Sequence, residues 1–208
     1  MEEDEENRSN MKTKGVSLII LAGGQSTRMG TEKSDLEIHG KTFLDIQIEK
    51  GITLGIEDIM ISGRKSIQKK DVRVIVDTEP NLGPLCGIYS CMLEAKTDSC
   101  MVLSVDTPLV PVDELRKLLS FAEENREQPV ILSHNGKKEP LLGVYPCSFL
   151  PYMIDELRTG KRSVFSMIKK TGYMEYESKI IDTCFLNINT KEAYKEALDF
   201  IENRCILS

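Results

Sequence analysis

The chain has 208 residues, 40% of them apolar, and a formal net charge of −6 at pH 7. This length and composition are typical of one globular domain with a sizeable core. The acidic balance argues against a protein that binds nucleic acid through bulk attraction to phosphates, because such proteins need a basic face. A small anionic ligand is compatible with this charge, since a few local cations can outweigh the overall sign.

The cysteines and the amino-terminal residues indicate the cell compartment. The six cysteines are spread along the chain without a CxxC pair, so neither a zinc site nor a disulfide framework is predicted. Residues 1–14 are too acidic for a signal peptide, and the apolar run 16–22 is well short of the roughly 20 residues that span a bilayer. We therefore predict a disordered polar leader at 1–14, a single domain at 15–208, a cytoplasmic location and no membrane association.

From Gly15 onward, apolar runs alternate with segments of helical periodicity. Strands are predicted at 16–22, 58–62, 71–77 and 99–105, and helices at 42–51, 84–96 and 112–125. This alternation is typical of a mainly parallel sheet covered by helices. Two further strands at 129–133 and 140–145 flank the turn 134–137, which predicts an antiparallel hairpin.

The last part of the chain completes the predicted domain. Helical segments are expected at 148–157 and 163–170, a short strand at 183–187, and a helix at 191–203 capped by Thr190 or Asn189. We find no internal repeat and no linker long enough to divide the chain. The predicted fold class is α/β, with a mostly parallel sheet and an antiparallel element in its second half.

The first candidate site is the loop after strand 16–22, which contains Gly23 and Gly24 and then Arg28, Gly30 and Lys33. Glycines and cations after a buried strand are typical of a phosphate-binding loop. The GxxxxGK[ST] and GxGxxG spacings are both absent. An ordinary strand-to-helix turn with solvated cations remains the alternative, and spacing alone does not choose between the two.

Two aspartates follow predicted strands in the same way. Asp106 comes directly after strand 99–105, where a carboxylate is well placed to bind Mg²⁺ together with phosphate oxygens and water. Asp77 ends strand 71–77 in the same way, although the support for a ligand-binding role is weaker there. A simple turn or capping role is the alternative for both aspartates. Because the carboxyl ends of parallel strands meet at one edge of a sheet, we expect both to converge with Gly23 and Gly24.

The segment Phe185-Leu186-Asn187-Ile188-Asn189-Thr190 is the third candidate. Asparagines that alternate with apolar residues are usually turn and cap residues. Their side-chain oxygens are also suitable for completing a metal or ligand shell. The pattern does not decide between these roles.

These motifs resemble a known family. The sequence LAGGQSTRMGTEKSDL at 21–36 is similar to the LAGGxSxRMGxDK signature of small-molecule nucleotidyltransferases, in the form found in molybdenum cofactor guanylyltransferases. GPLCGI at 83–88 resembles the family's GPLAGI, and VDTP at 105–108 its xDTP. EPLL at 139–142, GKR at 160–162 and FLNINT at 185–190 follow in the family's order, so the resemblance covers 16–202.

The resemblance implies a Rossmann-like three-layer nucleotidyltransferase fold. It also implies transfer of GMP from GTP to molybdopterin with Mg²⁺, giving molybdopterin guanine dinucleotide and releasing pyrophosphate. By motif, the implied catalytic residues are Lys33 on the phosphates, Arg28 near the leaving pyrophosphate, and Asp106 as the Mg²⁺ ligand. The implied nucleotide-binding residues are Leu21, Ala22, Gly23, Gly24, Lys33, Asp77, Gly83, Asp106, Asn187 and Asn189, with Asp77 on the guanosine side.

The chain departs from the family pattern at two positions, where Glu32 replaces the aspartate of DK and Cys86 the alanine of GPLAGI. GTP is favoured over CTP by analogy, because cytidylyl relatives more often have LAAG in place of Leu21 to Gly24. One alternative is a guanylyl- or cytidylyltransferase for another phosphorylated acceptor, and another is a catalytically silent GTP-binding module. Molybdoenzymes or cofactor-insertion proteins are candidate protein partners, and nucleic acid is not.

Overall fold

The computed structural model describes residues 13–22, 36–63, 69, 72–76 and 83–205. Most of the predicted leader, residues 1–12, lies outside this part of the chain. None of the helices in the described part is both long and apolar enough to cross a membrane.

The main sheet contains seven of the described strands. They are β1 (Thr13–Leu21), β4 (Ile59–Ser62), β5 (Arg73–Ile75), β6 (Thr97–Ser104), β7 (Val130–His134), β8 (Lys137–Pro146) and β9 (Met174–Glu177), while β2 (Glu37–Ile38) and β3 (Lys41–Thr42) form a separate small hairpin. The order in the sheet is β5-β4-β1-β6-β8-β7-β9. Only β8 runs against the other six, because it pairs antiparallel with both β6 and β7. The predicted α/β fold with a mostly parallel sheet is confirmed.

Six α-helices of the described chain cover both faces of this sheet. They are α1 (Phe43–Thr53), α2 (Pro84–Glu94), α3 (Val112–Glu124), α4 (Leu150–Arg158), α5 (Val164–Thr171) and α6 (Lys191–Cys205), with short 3-10 helices at Cys147–Phe149 and Asp182–Phe185. Helices α1, α3 and α6 contribute to one hydrophobic cluster, and α2, α4 and α5 to another. The chain therefore forms three layers, as the family resemblance implies.

Strand β1 lies at the centre of the sheet and is buried on both faces. Leu18 and Ile20 belong to one cluster, and Ile19 and Leu21 to the other. Successive side chains of a strand point to opposite faces, so a strand covered on both sides needs a continuous apolar run. This explains why residues 16–22 were recognisable as a strand.

Helix α1 begins one residue after the predicted start at 42, and Thr42 is its capping residue. The Thr42 hydroxyl accepts a hydrogen bond from the Asp45 amide at 3.1 Å, and Asp45 adds a negative charge to the first turn. The side of α1 that faces the sheet includes Phe43, Leu44 and Gly51. A Cβ atom added at Gly51 would lie 2.5 Å from a methyl carbon of Leu18, so glycine permits the close approach of α1 to β1.

The hairpin of β7 and β8 confirms the predicted antiparallel element. Its two-residue turn is Asn135-Gly136, with positive φ angles of 45° and 74°. Asparagine followed by glycine suits such a turn because both residues tolerate these angles. The reversal of direction at this turn places the beginning of β8 next to the carboxyl ends of β6 and β7.

One predicted strand is wrong. Residues 182–185 form a 3-10 helix rather than the strand expected at 183–187, and the edge strand β9 lies upstream at Met174–Glu177. Cys184 and Phe185 are both buried, as they would also be in a strand covered on both faces, so burial did not distinguish the 3-10 helix from a strand. β9 escaped prediction because its mostly exposed sequence MEYE lacks an apolar pattern.

Candidate functional site

The carboxyl ends of the central strands form the edge of the sheet where the predicted site residues collect. Leu21 is the last residue of β1, and its carbonyl accepts a hydrogen bond from the Val105 amide at 3.3 Å. The amide of Ala22 donates to the Ser62 carbonyl at the end of β4, at 3.0 Å. The structure therefore places Leu21 beside Val105, the residue that precedes Asp106, and Ala22 beside the end of β4.

Asp106 lies in a turn that follows β6; we refer to residues 104–108 as the Asp106 turn. The Asp106 amide donates to the Ser104 hydroxyl at 3.3 Å, and the Thr107 hydroxyl donates to the Ser104 carbonyl at 3.3 Å. Thr107 is buried, whereas Asp106 is partly exposed. The turn is thus folded back on the end of its own strand and leaves Asp106 at the surface of the edge.

The segment of Asn187 and Asn189 lies directly against this turn. The amide of Ile188 donates to the Asp106 carbonyl at 2.8 Å, and the Ile188 side chain is fully buried. The side-chain amide of Asn189 donates to the side-chain oxygen of Asn187, which is itself exposed. This backbone hydrogen bond therefore brings the segment of Asn187 and Asn189 against Asp106, although the segment and Asp106 are far apart in the sequence.

The hairpin turn supports the 3-10 helix that precedes Asn187. The His134 ring stacks on Phe185 with centroids 4.3 Å apart, and its Nδ1 lies 2.9 Å from the Asp182 carboxylate. Asn135 donates a second hydrogen bond to Asp182 at 2.5 Å. These hydrogen bonds, that from His134 first, hold the pKa of Asp182 below its usual value.

Gly83 also lies at this edge of the sheet, because α2 follows β5 and therefore begins at the carboxyl ends of the strands. Gly83 caps this helix with a positive φ of 78°, and Pro84 follows as its first residue. A Cβ atom at Gly83 would lie 3.1 Å from the Cβ of Arg162. The GPLCGI motif therefore meets the GKR motif at this helix terminus.

Two residues that sequence reasoning missed hold the Asp106 turn from α1. Gln47 donates to the carbonyls of Ser104 at 2.6 Å and Thr107 at 3.3 Å, and Lys50 donates to the Pro108 carbonyl at 2.7 Å. Their position in the sequence could have indicated this role, since both polar residues fall on the stripe of α1 that should be apolar.

The carboxylate and amide oxygens at this edge are ligands that suit a hard cation such as Mg²⁺. Mg²⁺ is usually bound by one or two carboxylates and keeps several waters and substrate phosphate oxygens. Asp106 carries a carboxylate, and Asn187 and Asn189 carry amide oxygens on either side of Ile188, whose amide binds the Asp106 carbonyl. Among the described residues no group of three or more His, Cys, Asp or Glu side chains is arranged to hold a metal. A cation at this edge would therefore depend on substrate oxygens for much of its coordination.

Five predicted site residues lie outside the described part of the chain: Gly23, Gly24, Arg28, Lys33 and Asp77. Their roles remain predictions from the sequence. The described residues of the predicted site lie at the ends of β1 and β6, at the start of α2 and in the FLNINT segment.

Comparison with known proteins gives concordant matches over most of the chain. The profile of the MobA-like NTP transferase domain matches residues 18–173. The chain is 30% identical to a "probable molybdenum cofactor guanylyltransferase" from a Geobacillus species, over 86% of this chain and 95% of that protein. It is also 30% identical to a molybdenum cofactor guanylyltransferase from Campylobacter jejuni, over 89% of this chain and 97% of that protein.

A solved structure matches the fold. The molybdopterin-guanine dinucleotide biosynthesis protein A from Archaeoglobus fulgidus superposes with a TM-score of 0.74, covering 90% of this chain and 99% of its own. Its sequence identity to this chain is 22%, so this likeness concerns the fold alone.

Proposed function

Because the chain belongs to the MobA-like NTP transferase domain family, we propose that it transfers GMP from GTP to molybdopterin. The product is molybdopterin guanine dinucleotide, and pyrophosphate is released. The observation that carries this proposal is the 2.8 Å hydrogen bond from the Ile188 amide to the Asp106 carbonyl, which unites the xDTP and FLNINT motifs in one site. The names of the two curated relatives support the same acceptor and nucleotide.

The proposed reaction is a displacement at phosphorus. An oxygen of the molybdopterin phosphate forms a bond to the α-phosphorus of GTP, while the bond from that phosphorus to the bridging oxygen breaks and pyrophosphate leaves with the electron pair. A phosphate monoester is already nucleophilic, so the protein need not generate a nucleophile. Its work is to align the two substrates and to neutralise charge.

Each part of the site has a proposed role in this alignment. The backbone at Leu21, Ala22, Gly23 and Gly24 would cradle the nucleotide, and Lys33 and Arg28 would neutralise the triphosphate and the leaving pyrophosphate. Asp77 and Gly83 would contact the nucleotide from neighbouring strand ends. These assignments are supported by the motifs and, for Leu21, Ala22 and Gly83, by their location at the carboxyl edge.

Mg²⁺ is the cation that we propose for this site, with Asp106 as its carboxylate ligand and Asn187 or Asn189 adjacent. When bound, it would offset the negative charge on the phosphate oxygens and on the leaving group. We further propose a cytoplasmic location and molybdoenzymes or cofactor-insertion proteins as recipients of the product.

The proposal is tested by presenting purified protein and molybdopterin with each nucleoside triphosphate in turn and measuring the release of pyrophosphate. We expect release with GTP and little with CTP, ATP or UTP. A preference for CTP would overturn the nucleotide assignment. Release that does not depend on molybdopterin, but does depend on another phosphorylated acceptor, would overturn the acceptor.

A further inference from the structure

Gln47 and Lys50 are polar side chains buried between α1 and the sheet. Gln47 is 1% exposed and Lys50 7% exposed. Both lie on the same stripe of α1 as Phe43 and Gly51. Burial of an amide or an amine is unfavourable unless hydrogen bonds compensate, so their partners indicate what these side chains do.

All three hydrogen bonds from these side chains end on the backbone of the Asp106 turn. The acceptors are the carbonyls of Ser104 and Thr107 for Gln47, and the carbonyl of Pro108 for Lys50. Their positions bracket Asp106 in the sequence, and the carbonyl of Asp106 itself accepts from Ile188. The backbone around the proposed metal ligand is therefore fixed by α1 on one side and by the FLNINT segment on the other.

This arrangement has costs that an apolar pair of side chains would avoid. The Oε1 atom of Gln47 is buried and has no hydrogen-bond partner among the described residues. Burial lowers the pKa of Lys50 to about 7, and a smaller electrostatic effect of Cys184 opposes this shift. Apolar replacements would remove these costs but would also remove the donors that Gln47 supplies to Thr107 and Lys50 to Pro108. The hydrogen bonds to the turn are thus what the two polar side chains contribute.

We propose that Gln47 and Lys50 are positioning residues, which hold the backbone on both sides of Asp106 so that its carboxylate binds the cation of the metal–nucleotide complex tightly. The inference rests on the proposed function, because it takes Asp106 as the metal ligand. Neither residue touches a substrate in this account; both act through the turn. Removal of a group that orients a metal ligand typically weakens metal affinity or activity by about 10- to 100-fold.

The test compares binding of the Mn²⁺–GTP complex with binding of metal-free GTP, using Mn²⁺ as a paramagnetic substitute for Mg²⁺. Water-proton relaxation reports the first, and calorimetry in the presence of a chelator reports the second. For Lys50→Met and Gln47→Met we expect about tenfold weaker binding of Mn²⁺–GTP. We expect metal-free GTP to bind within about twofold of wild type, and kcat to fall about tenfold with the KM for molybdopterin unchanged.

Two controls separate positioning from a general loss of stability. Lys41→Met makes the same substitution at a half-exposed lysine, paired with Glu49, just before α1. Ile168→Val removes one methyl group from the hydrophobic cluster on the opposite face of the sheet. We expect both controls to bind Mn²⁺–GTP as wild type does, even where their thermal unfolding midpoint falls.

The possible outcomes distinguish the two proposals. A wild-type protein that binds no GTP in either form contradicts the proposed function. Wild-type binding of Mn²⁺–GTP that is unchanged in Lys50→Met and Gln47→Met overturns the positioning role, as does equal weakening in the Ile168→Val control. Gln47→Met carries the same comparison if Lys50→Met does not fold.

Discussion

Within the described part of the chain, Asp106 is held by fixed backbone and does not belong to a cluster of three or more His, Cys, Asp or Glu side chains. Its amide is hydrogen-bonded to Ser104 and its carbonyl to Ile188, while α1 holds the carbonyls on either side. The turn therefore has little freedom to move when a charged ligand arrives. Preorganised groups of this kind are effective in catalysis because they need no rearrangement as charge develops.

This geometry predicts that Asp106→Asn keeps the fold and loses turnover. Asparagine has the same shape but no charge, so we expect kcat to fall by about 10²-fold or more, the scale of removing one charge-stabilising group. Pyrophosphate release and thermal unfolding measure the two effects. Asp113→Asn is the matched control, since Asp113 is 86% exposed on α3 and pairs with Arg116. Turnover near the wild-type rate in Asp106→Asn would remove Asp106 from the site.

The buried amine of Lys50 predicts a specific dependence of stability on pH. Burial lowers its pKa from 10.5 to about 7. Between these values the unfolded chain binds a proton that the folded chain does not, so the free energy of unfolding rises with pH. The stability associated with the neutral Lys50 amine is complete above about pH 10.5 and is lost as pH falls through about 7. Relative to Lys50→Met, wild type should gain about 3 kcal/mol in unfolding free energy between about pH 6 and about pH 9.

Denaturant unfolding at the two pH values measures this gain. Lys41→Met should follow wild type, because Lys41 is about half exposed. If wild type and Lys50→Met changed in parallel between the two pH values, the amine would not be desolvated as the structure indicates.

Among the elements, the amino ends of the strands lie at the edge of the sheet opposite to the one that carries the proposed site. At the amino ends of the strands, the Asp58 carboxylate accepts hydrogen bonds from the Ser17 hydroxyl at 2.6 Å, the Lys96 amide at 3.0 Å and the Arg73 guanidinium at 2.6 Å. These bonds tie β1 and β5 to the start of β4 and to the link between α2 and β6. Burial alone would raise the pKa of Asp58, but the hydrogen bonds outweigh it and lower the pKa.

Asp58→Asn should therefore reduce stability without impairing the site. We expect a loss of about 2 kcal/mol at neutral pH, since Arg73 remains partly exposed and is not stranded completely. The contribution of Asp58 is complete above the ordinary carboxyl pKa of 3.8 and is lost as pH falls through its lower folded-state pKa. The free energies of unfolding of Asp58→Asn and wild type should therefore converge as pH is lowered through the acid range.

Asp155→Asn is the control for Asp58, because Asp155 is 74% exposed. An equal loss of stability in both variants, or a wild-type-like Asp58→Asn at neutral pH, would contradict this account of the amino edge. A fall in kcat larger than the loss of folded protein would contradict the separation of the two edges.

Elements that bury a repeated apolar pattern could be predicted from the sequence, and others could not. β1 was evident from its apolar run, and the hairpin from Asn135-Gly136. β9 was missed because an edge strand with exposed side chains has no such pattern. The proximity of Asp106 to Asn187 and Asn189 could be anticipated only in part, because the sequence did not decide whether the asparagines are turn and cap residues or complete a ligand shell. The contributions of Gln47 and Lys50 depend on which carbonyls face α1, which only the tertiary structure reveals.

At the scale of the whole molecule, one sheet and two hydrophobic clusters support a site at a single edge. The central strands β1 and β6 are held between clusters on both faces, so their carboxyl ends are rigidly placed. The antiparallel β8 returns the chain to the same edge, and the hairpin turn then supports the 3-10 helix before Asn187. The second half of the chain thus contributes residues to the same edge as the first half, where we propose the site.

The most direct measurement of the central claim follows the α-phosphorus of GTP. Purified protein is given molybdopterin, Mg²⁺ and GTP labelled at the α-phosphorus, and the products are separated and identified by mass. The account predicts label in molybdopterin guanine dinucleotide, formed in equal amount with pyrophosphate and strongly reduced in Asp106→Asn. Label that stays in GTP, appears only in free GMP, or transfers from CTP in preference would contradict it.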